Sequence, residues 1–192
     1  MNIVRIFGAL LLCFSISTAI AADNNSDPRQ DQTYTPDEIV QKGAEFFGVT
    51  TESMAKAVER VFAKYGRPDA YIAGSEGSGA FIVGLRYGEG QLYMKQSSAP
   101  TKVYWQGPSV GFDYGGNASK VFTLGYNLRE PDKLFTRFPG VEGSAYLVAG
   151  IGVNYQQSGR VILAPMRTGV GLRAGVDLGY LSYSRERNWI PF

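Results

Sequence analysis

Two hydrophobic periods follow one another along this chain. In the first, Ile39, Val40, Gly43 and Phe47 fall on one face of a helix, and Met54, Val58, Val61, Phe62 and Tyr65 continue at the same spacing. Thr35-Pro36-Asp37-Glu38 supplies a hydroxyl cap, Pro at the first helical position and Glu three residues after the cap. Gly48 can stop that helix, Thr50 or Thr51 can start the next, and Gly66-Arg67-Pro68 ends it. The pattern predicts a helical hairpin over residues 35–66 that lays an apolar face on another layer.

From Gly66 onward the period becomes two. Phe81, Val83, Leu85 and Tyr87 alternate with Ala80, Ile82, Gly84 and Arg86; Val103 and Trp105 alternate with Tyr104 and Gln106; Val110, Phe112 and Tyr114 follow. Turn signals at Gly88-Glu89-Gly90, Gly107-Pro108, Gly115-Gly116-Asn117, Pro139-Gly140 and Ser158-Gly159 divide this region into about 8–10 short strands. No helical pattern separates them, so the pairing is expected to be antiparallel, and 21 of the 24 glycines lie here, as a strongly curved sheet requires. The expected fold is therefore mainly β (α+β): the N-terminal helical hairpin followed by a small antiparallel β-barrel over residues 67–192.

The N-terminus carries an export signal. Met1 to Arg5 is a short positive region, Ile6 to Ile16 is apolar, and Ala19-Ile20-Ala21 is a small-x-small cleavage site, so residues 1–21 read as a secretory signal peptide. The apolar run is well short of the ~20 residues that span a bilayer, so no membrane span is expected after cleavage. Residues 22–34 read as a flexible polar linker. Cys13 sits within the signal after Leu12, which does not suit a lipoprotein box, and it leaves with the signal. The expected location is the periplasm.

Composition then narrows the chemistry. With no His in the chain and its one Cys in the signal, the mature protein has no imidazole acid/base, no Ser-His-Asp triad and no His- or Cys-bearing zinc site; no cofactor is expected. The net charge of +2 gives no overall field for nucleic acid. It divides along the hairpin boundary: residues 23–60 carry 8 acidic and 4 basic groups, and residues 61–192 carry 9 and 14.

Three motif matches are weak. Ser53-Met54-Ala55-Lys56 fits Ser-x-x-Lys, but the Ser-Asp-Asn and Lys-Thr-Gly elements of penicillin-binding enzymes are missing. Gly169-Val170-Gly171-Leu172-Arg173-Ala174 fits the dinucleotide fingerprint formally, yet Gly175 and Gly179 continue a strand-like run where a helix should begin. Glu76, Glu89, Asp113, Asp177 and Glu186 are the carboxylates open to glycoside chemistry; Glu76 and Glu89 sit among glycines, where turn-forming or solvated acids are the default. A transmembrane barrel fits poorly, because counting back by twos from Phe192 puts Glu186 on the lipid face and Pro191 interrupts the pairing.

Residues 71–80 (Tyr-Ile-Ala-Gly-Ser-Glu-Gly-Ser-Gly-Ala), 84–90 (Gly-Leu-Arg-Tyr-Gly-Glu-Gly) and 103–113, with the block Tyr104-Trp105-Gln106-Gly107-Pro108-Ser109, resemble the EipA (envelope integrity protein A) family. Val141-Glu142-Gly143-Ser144-Ala145-Tyr146 and Arg167 to Arg173 extend the resemblance to roughly residues 36–185. It implies an exported, soluble small β-barrel with a role in envelope integrity and no accepted enzymatic activity. The spacing of Gly79, Gly84, Gly88, Gly90 and Gly111 around the Trp105 block is more distantly similar to SYLF domains, which bind membrane phospholipids. That similarity implies an anionic lipid, lipopolysaccharide or envelope glycan as partner, met by Arg86, Lys95, Lys102 or Arg173, with Tyr104 and Trp105 at the apolar boundary. Two alternatives stand beside it: a module docking envelope proteins through the hairpin, and a carboxylate-based wall hydrolase.

Overall fold

The computed structural model describes residues 32–79, 83–110, 119–168 and 179–188. The signal peptide, Phe112, Gly115-Gly116-Asn117 and the Gly169 to Ala174 run with Arg173 lie outside them.

Two helices open the fold, α1 at Pro36–Phe47 and α2 at Thr51–Tyr65. The capping box closes at the start of α1: the Glu38 N–H donates to Thr35 Oγ1 at 3.2 Å, and the Thr35 N–H donates to the Glu38 carboxylate at 2.8 Å. Gly48 ends α1 at φ 73°, a conformation that an L side chain adopts only with strain. Thr50 is the cap of α2, its hydroxyl accepting from the Ser53 N–H at 3.3 Å. Lys56 pairs with Glu52 at 2.8 Å on the exposed face, and Ser53 Oγ accepts from the Thr50 hydroxyl at 3.1 Å, so each polar residue of the Ser-x-x-Lys match is engaged elsewhere.

Ten strands follow among the described residues: β1 (Ala70–Gly79), β2 (Val83–Met94), β3 (Thr101–Val110), β4 (Ser119–Tyr126), β5 (Arg137–Pro139), β6 (Tyr146–Val148), β7 (Ile151–Val153), β8 (Gln156–Ser158), β9 (Val161–Thr168) and β10 (Tyr180–Ser184). All pairings are antiparallel, in the order β5-β10-β3-β2-β1-β4-β9-β7-β6, with β8 also on β9. A bridge from Gly140 to Gln156 joins the chain just after β5 to β8, so the sheet curls back toward its own first edge.

Strand alternation divides the apolar residues into two cores. Ala70, Ile72, Leu92, Val103, Trp105, Val121, Leu163, Leu181 and Tyr183 fill the concave side of the sheet, joined by Leu128, Leu134 and Phe138. Their neighbours of opposite parity, Tyr71, Phe122, Leu124, Tyr126, Ala164 and Met166, pack outward against Ile39, Phe47, Met54, Val58 and Val61 of the hairpin. Tyr34 belongs to this second core, edge-on to Tyr71 with its N–H on the Pro68 carbonyl, so the chain is anchored before α1 begins. No helix among the described residues is long and apolar enough to cross a membrane.

Two expected turns are strand interior instead. Gly88-Glu89-Gly90 lies within β2 and Gly107-Pro108 within β3, because these glycines let other groups approach closely. A Cβ at Gly88 would overlap the Trp105 indole, and one at Gly90 would lie 2.6 Å from the Ala73 carbonyl oxygen. Ser158-Gly159 does turn the chain, between β8 and β9, with Gly159 at φ 57°.

Candidate functional site

Among the described residues, the concave side holds one buried group of charges. Residues 70, 72, 74 and 76 of β1 point inward, so the pleat that buries Ala70 and Ile72 also buries Glu76, which is 7 % exposed. Register then sets a row across four strands: Glu76 opposite Gly88, Gly88 opposite Trp105, and Trp105 opposite Tyr183. With no side chain at Gly88, the indole lies in that space and donates from Nε1 to Glu76 Oε2 at 3.1 Å.

Two guanidinium groups balance the carboxylate. Arg167 of β9 donates from Nε to Glu76 Oε1 at 2.6 Å and from Nη2 to Oε2 at 3.4 Å, while Arg86 Nε lies 3.9 Å from Oε1. A third donor atom, Arg167 Nη1, reaches Asn154 Oδ1 at 2.8 Å. Burial pushes the Glu76 carboxyl upward, but the charges of Arg167 and Arg86 and the Arg167 and Trp105 hydrogen bonds outweigh it and hold Glu76 below the usual carboxylate range. A carboxylate so engaged is an anchor across β1, β2, β3 and β9; it has no proton to give near neutrality.

A cleft of about 200 Å³ opens beside this row, with Tyr87, Glu89, Tyr104, Gln106, Arg187 and Asn188 in its lining and with Glu76 and Trp105 contributing to the wall. Its rim is charged. The Glu89 carboxylate accepts from Arg187 Nη2 at 2.8 Å and pairs with Lys102 Nζ at 3.3 Å, and both cations lie over the Tyr104 ring, 5.4 Å away for Lys102 and 5.7 Å for Arg187. The hydrogen bonds from Arg187 and Lys102 hold the Glu89 carboxyl below its ordinary range.

Of the six residues expected to meet a ligand, Tyr104 and Trp105 line the cleft, and Lys102 stands at its edge through its pair with Glu89. Trp105 is 3 % exposed and belongs mainly to the interior. Arg86 faces Glu76 in the interior. Lys95 stands apart at the junction with the hairpin, 2.6 Å from Glu38 and over the Tyr34 ring. Arg173 lies outside the described residues. Sequence reasoning missed Arg167 and Arg187, and it placed Glu76 in a solvated turn. The inward parity of Ala70, Ile72 and Gly74 was the available signal, since an acid on that face must find partners. Among the described residues, no group of three or more Asp or Glu is arranged to hold a metal ion.

Comparison with known proteins places this geometry in a family. No curated protein matches the chain. The crystal structure of a β-barrel-like, uncharacterized protein from Brucella abortus is similar at 49 % identity and a TM-score of 0.76, covering 84 % of this chain and 99 % of that one. The envelope integrity protein A description matches residues 32–192, and the chain therefore belongs to the EipA family.

Proposed function

We propose that this protein supports envelope integrity from the periplasm as a non-catalytic barrel that binds an anionic envelope component (lipid headgroup, lipopolysaccharide or glycan) at the rim of the cleft. The observation that carries this reading is the trio Lys102, Tyr104 and Arg187, two cations over one ring with Glu89 as their acidic partner. The sum of that group is positive, and all three of its charged side chains remain more than a third exposed. Family membership supplies the envelope role, and the export signal in the sequence supports the compartment.

The packed interior favours a surface contact over an internal carrier. Trp105, Phe138, Leu163 and Tyr183 occupy the space where an acyl chain would lie in an open barrel. Apart from the group around Glu76, the interior is apolar, which suits a water-soluble barrel better than a membrane pore.

The wall-hydrolase alternative draws on Glu76 and Glu89, but Glu76 points inward opposite Gly88, so strand alternation puts Glu89 on the other face of the sheet. Glycoside hydrolysis needs one carboxyl that keeps its proton near the working pH, and both of these are held ionised by cations. The geometry therefore favours binding over turnover.

Flotation with phosphatidylglycerol or cardiolipin liposomes, and pull-down on lipopolysaccharide, test this reading at low and high salt. Salt-sensitive binding to at least one of them is expected, because exposed charges are screened beyond about 10 Å at 0.1 M salt. No salt-sensitive binding to any of them overturns it.

A further inference from the structure

The cleft has more chemistry than a bare anion requires. Beyond the rim cations, its lining contains two tyrosine rings, Tyr87 and Tyr104, and two primary amides, Gln106 and Asn188. The Asn188 amide presents a donor and an acceptor side by side, which matches the alternating hydroxyls along the edge of a pyranose ring, whereas the Gln106 amide oxygen is buried. Aromatic rings match the opposite feature of such a ring, its flat C–H face. Arg187 adds a planar fork suited to a carboxylate or phosphate.

Size points the same way. At about 200 Å³ the cleft is below the roughly 300–1,000 Å³ of sites for drug-sized ligands, and it fits a single sugar ring. A membrane surface is served less well: the exposed large apolar side chains among the described residues are Val141 and Leu147, and neither lines the cleft.

We infer that this cleft binds one acidic sugar residue of an envelope glycan, its carboxylate or phosphate on Arg187, its hydroxyls on Asn188, and its ring against Tyr104. This rests on the anionic-component reading above and names the chemistry of that component. The same acidic sugar could belong to a free polysaccharide or to the saccharide of a glycolipid, and the arms of the test separate these from a plain lipid headgroup.

The test is calorimetric titration of the intact mature protein with galacturonic acid trimer, maltotriose, inorganic phosphate and phosphatidylglycerol vesicles. The trimer is expected to bind at least about tenfold more tightly than maltotriose or phosphate. Tyr104→Ala and Asn188→Ala should each weaken the trimer about tenfold while leaving the thermal midpoint within about 2 °C of the parent. A trimer that binds no better than maltotriose, or that binds Tyr104→Ala and Asn188→Ala as it binds the parent, overturns the inference. Vesicle binding that the trimer does not compete overturns the sugar assignment and leaves the anionic-component reading standing. If none of the probes binds, and lipopolysaccharide also fails, both are overturned.

Discussion

Replacing Glu76 by Gln removes one charge from a site where Arg167 and Arg86 stay behind. The amide keeps the shape and can still accept from Trp105 Nε1, so the change isolates the charge from the packing. Removing one partner of a buried ion pair costs about 3–5 kcal/mol, because the remaining charge loses its compensation away from water. The two arginine side chains are 17 % and 14 % exposed, so water screens them in part and the lower end, about 3 kcal/mol, is the appropriate magnitude. Against a typical stability of roughly 5–15 kcal/mol this is a large fraction, and it corresponds to a fall of about 6–12 °C in the thermal midpoint.

The pH dependence gives an independent check. The folded-state pKa of Glu76 lies below the ordinary carboxyl value of 4.5, so its contribution is fully present above that pH and is lost as the pH falls through the folded value. Glu76→Gln should therefore lose stability at neutral pH and show a shallower decline in acid. Calorimetric melts of both proteins from neutral pH down to about pH 3 measure each effect. A variant within about 0.5 kcal/mol of the parent at neutral pH, or one with an unchanged acid decline, would refute the anchoring role of Glu76.

Three further outcomes follow from the packing. Gly88→Ala should cost about 1–3 kcal/mol by forcing the indole aside, and combined with Trp105→Leu it should cost less than the two changes separately; additive losses in urea melts would contradict the close approach. Thr35→Ala should cost about 1 kcal/mol by opening the capping box of α1, read as a shift in urea midpoint at constant slope. Lys95→Met removes a partly exposed pair and should cost no more than about 1 kcal/mol. Because Lys95 holds the Glu38 carboxyl below its ordinary range, the Lys95→Met loss should be largest near neutral pH and shrink in acid; an equal loss at about pH 3 would count against the pair.

Local signals were enough for the hairpin. Thr35, Pro36, Glu38 and Gly48 act through hydrogen bonds within a few residues, and each occupies the position its chemistry predicts. The glycines of β2 and β3 were misread for the opposite reason. What makes Gly88 and Gly107 strand residues is a group brought in from a neighbouring strand, Trp105 for one and the Tyr180 carbonyl for the other, and neither is visible from local turn propensity. The cleft was half legible. Lys102, Tyr104 and Trp105 are close in sequence and stayed together in space, whereas Arg187 reaches Glu89 only because β10 pairs with β3. Glu76 and Arg167 are 91 residues apart, joined through β4, which pairs with both of their strands.

The most direct test of the account is lipopolysaccharide binding by the mature protein and by a Lys102→Gln, Arg187→Gln variant, each measured at about 50 and 300 mM salt. The parent should bind and weaken steeply with salt. The double variant should retain its fold, bind at least about tenfold more weakly, and respond little to salt. Equal binding by the two proteins, or binding by the parent that salt leaves unchanged, would contradict an anionic contact at the rim.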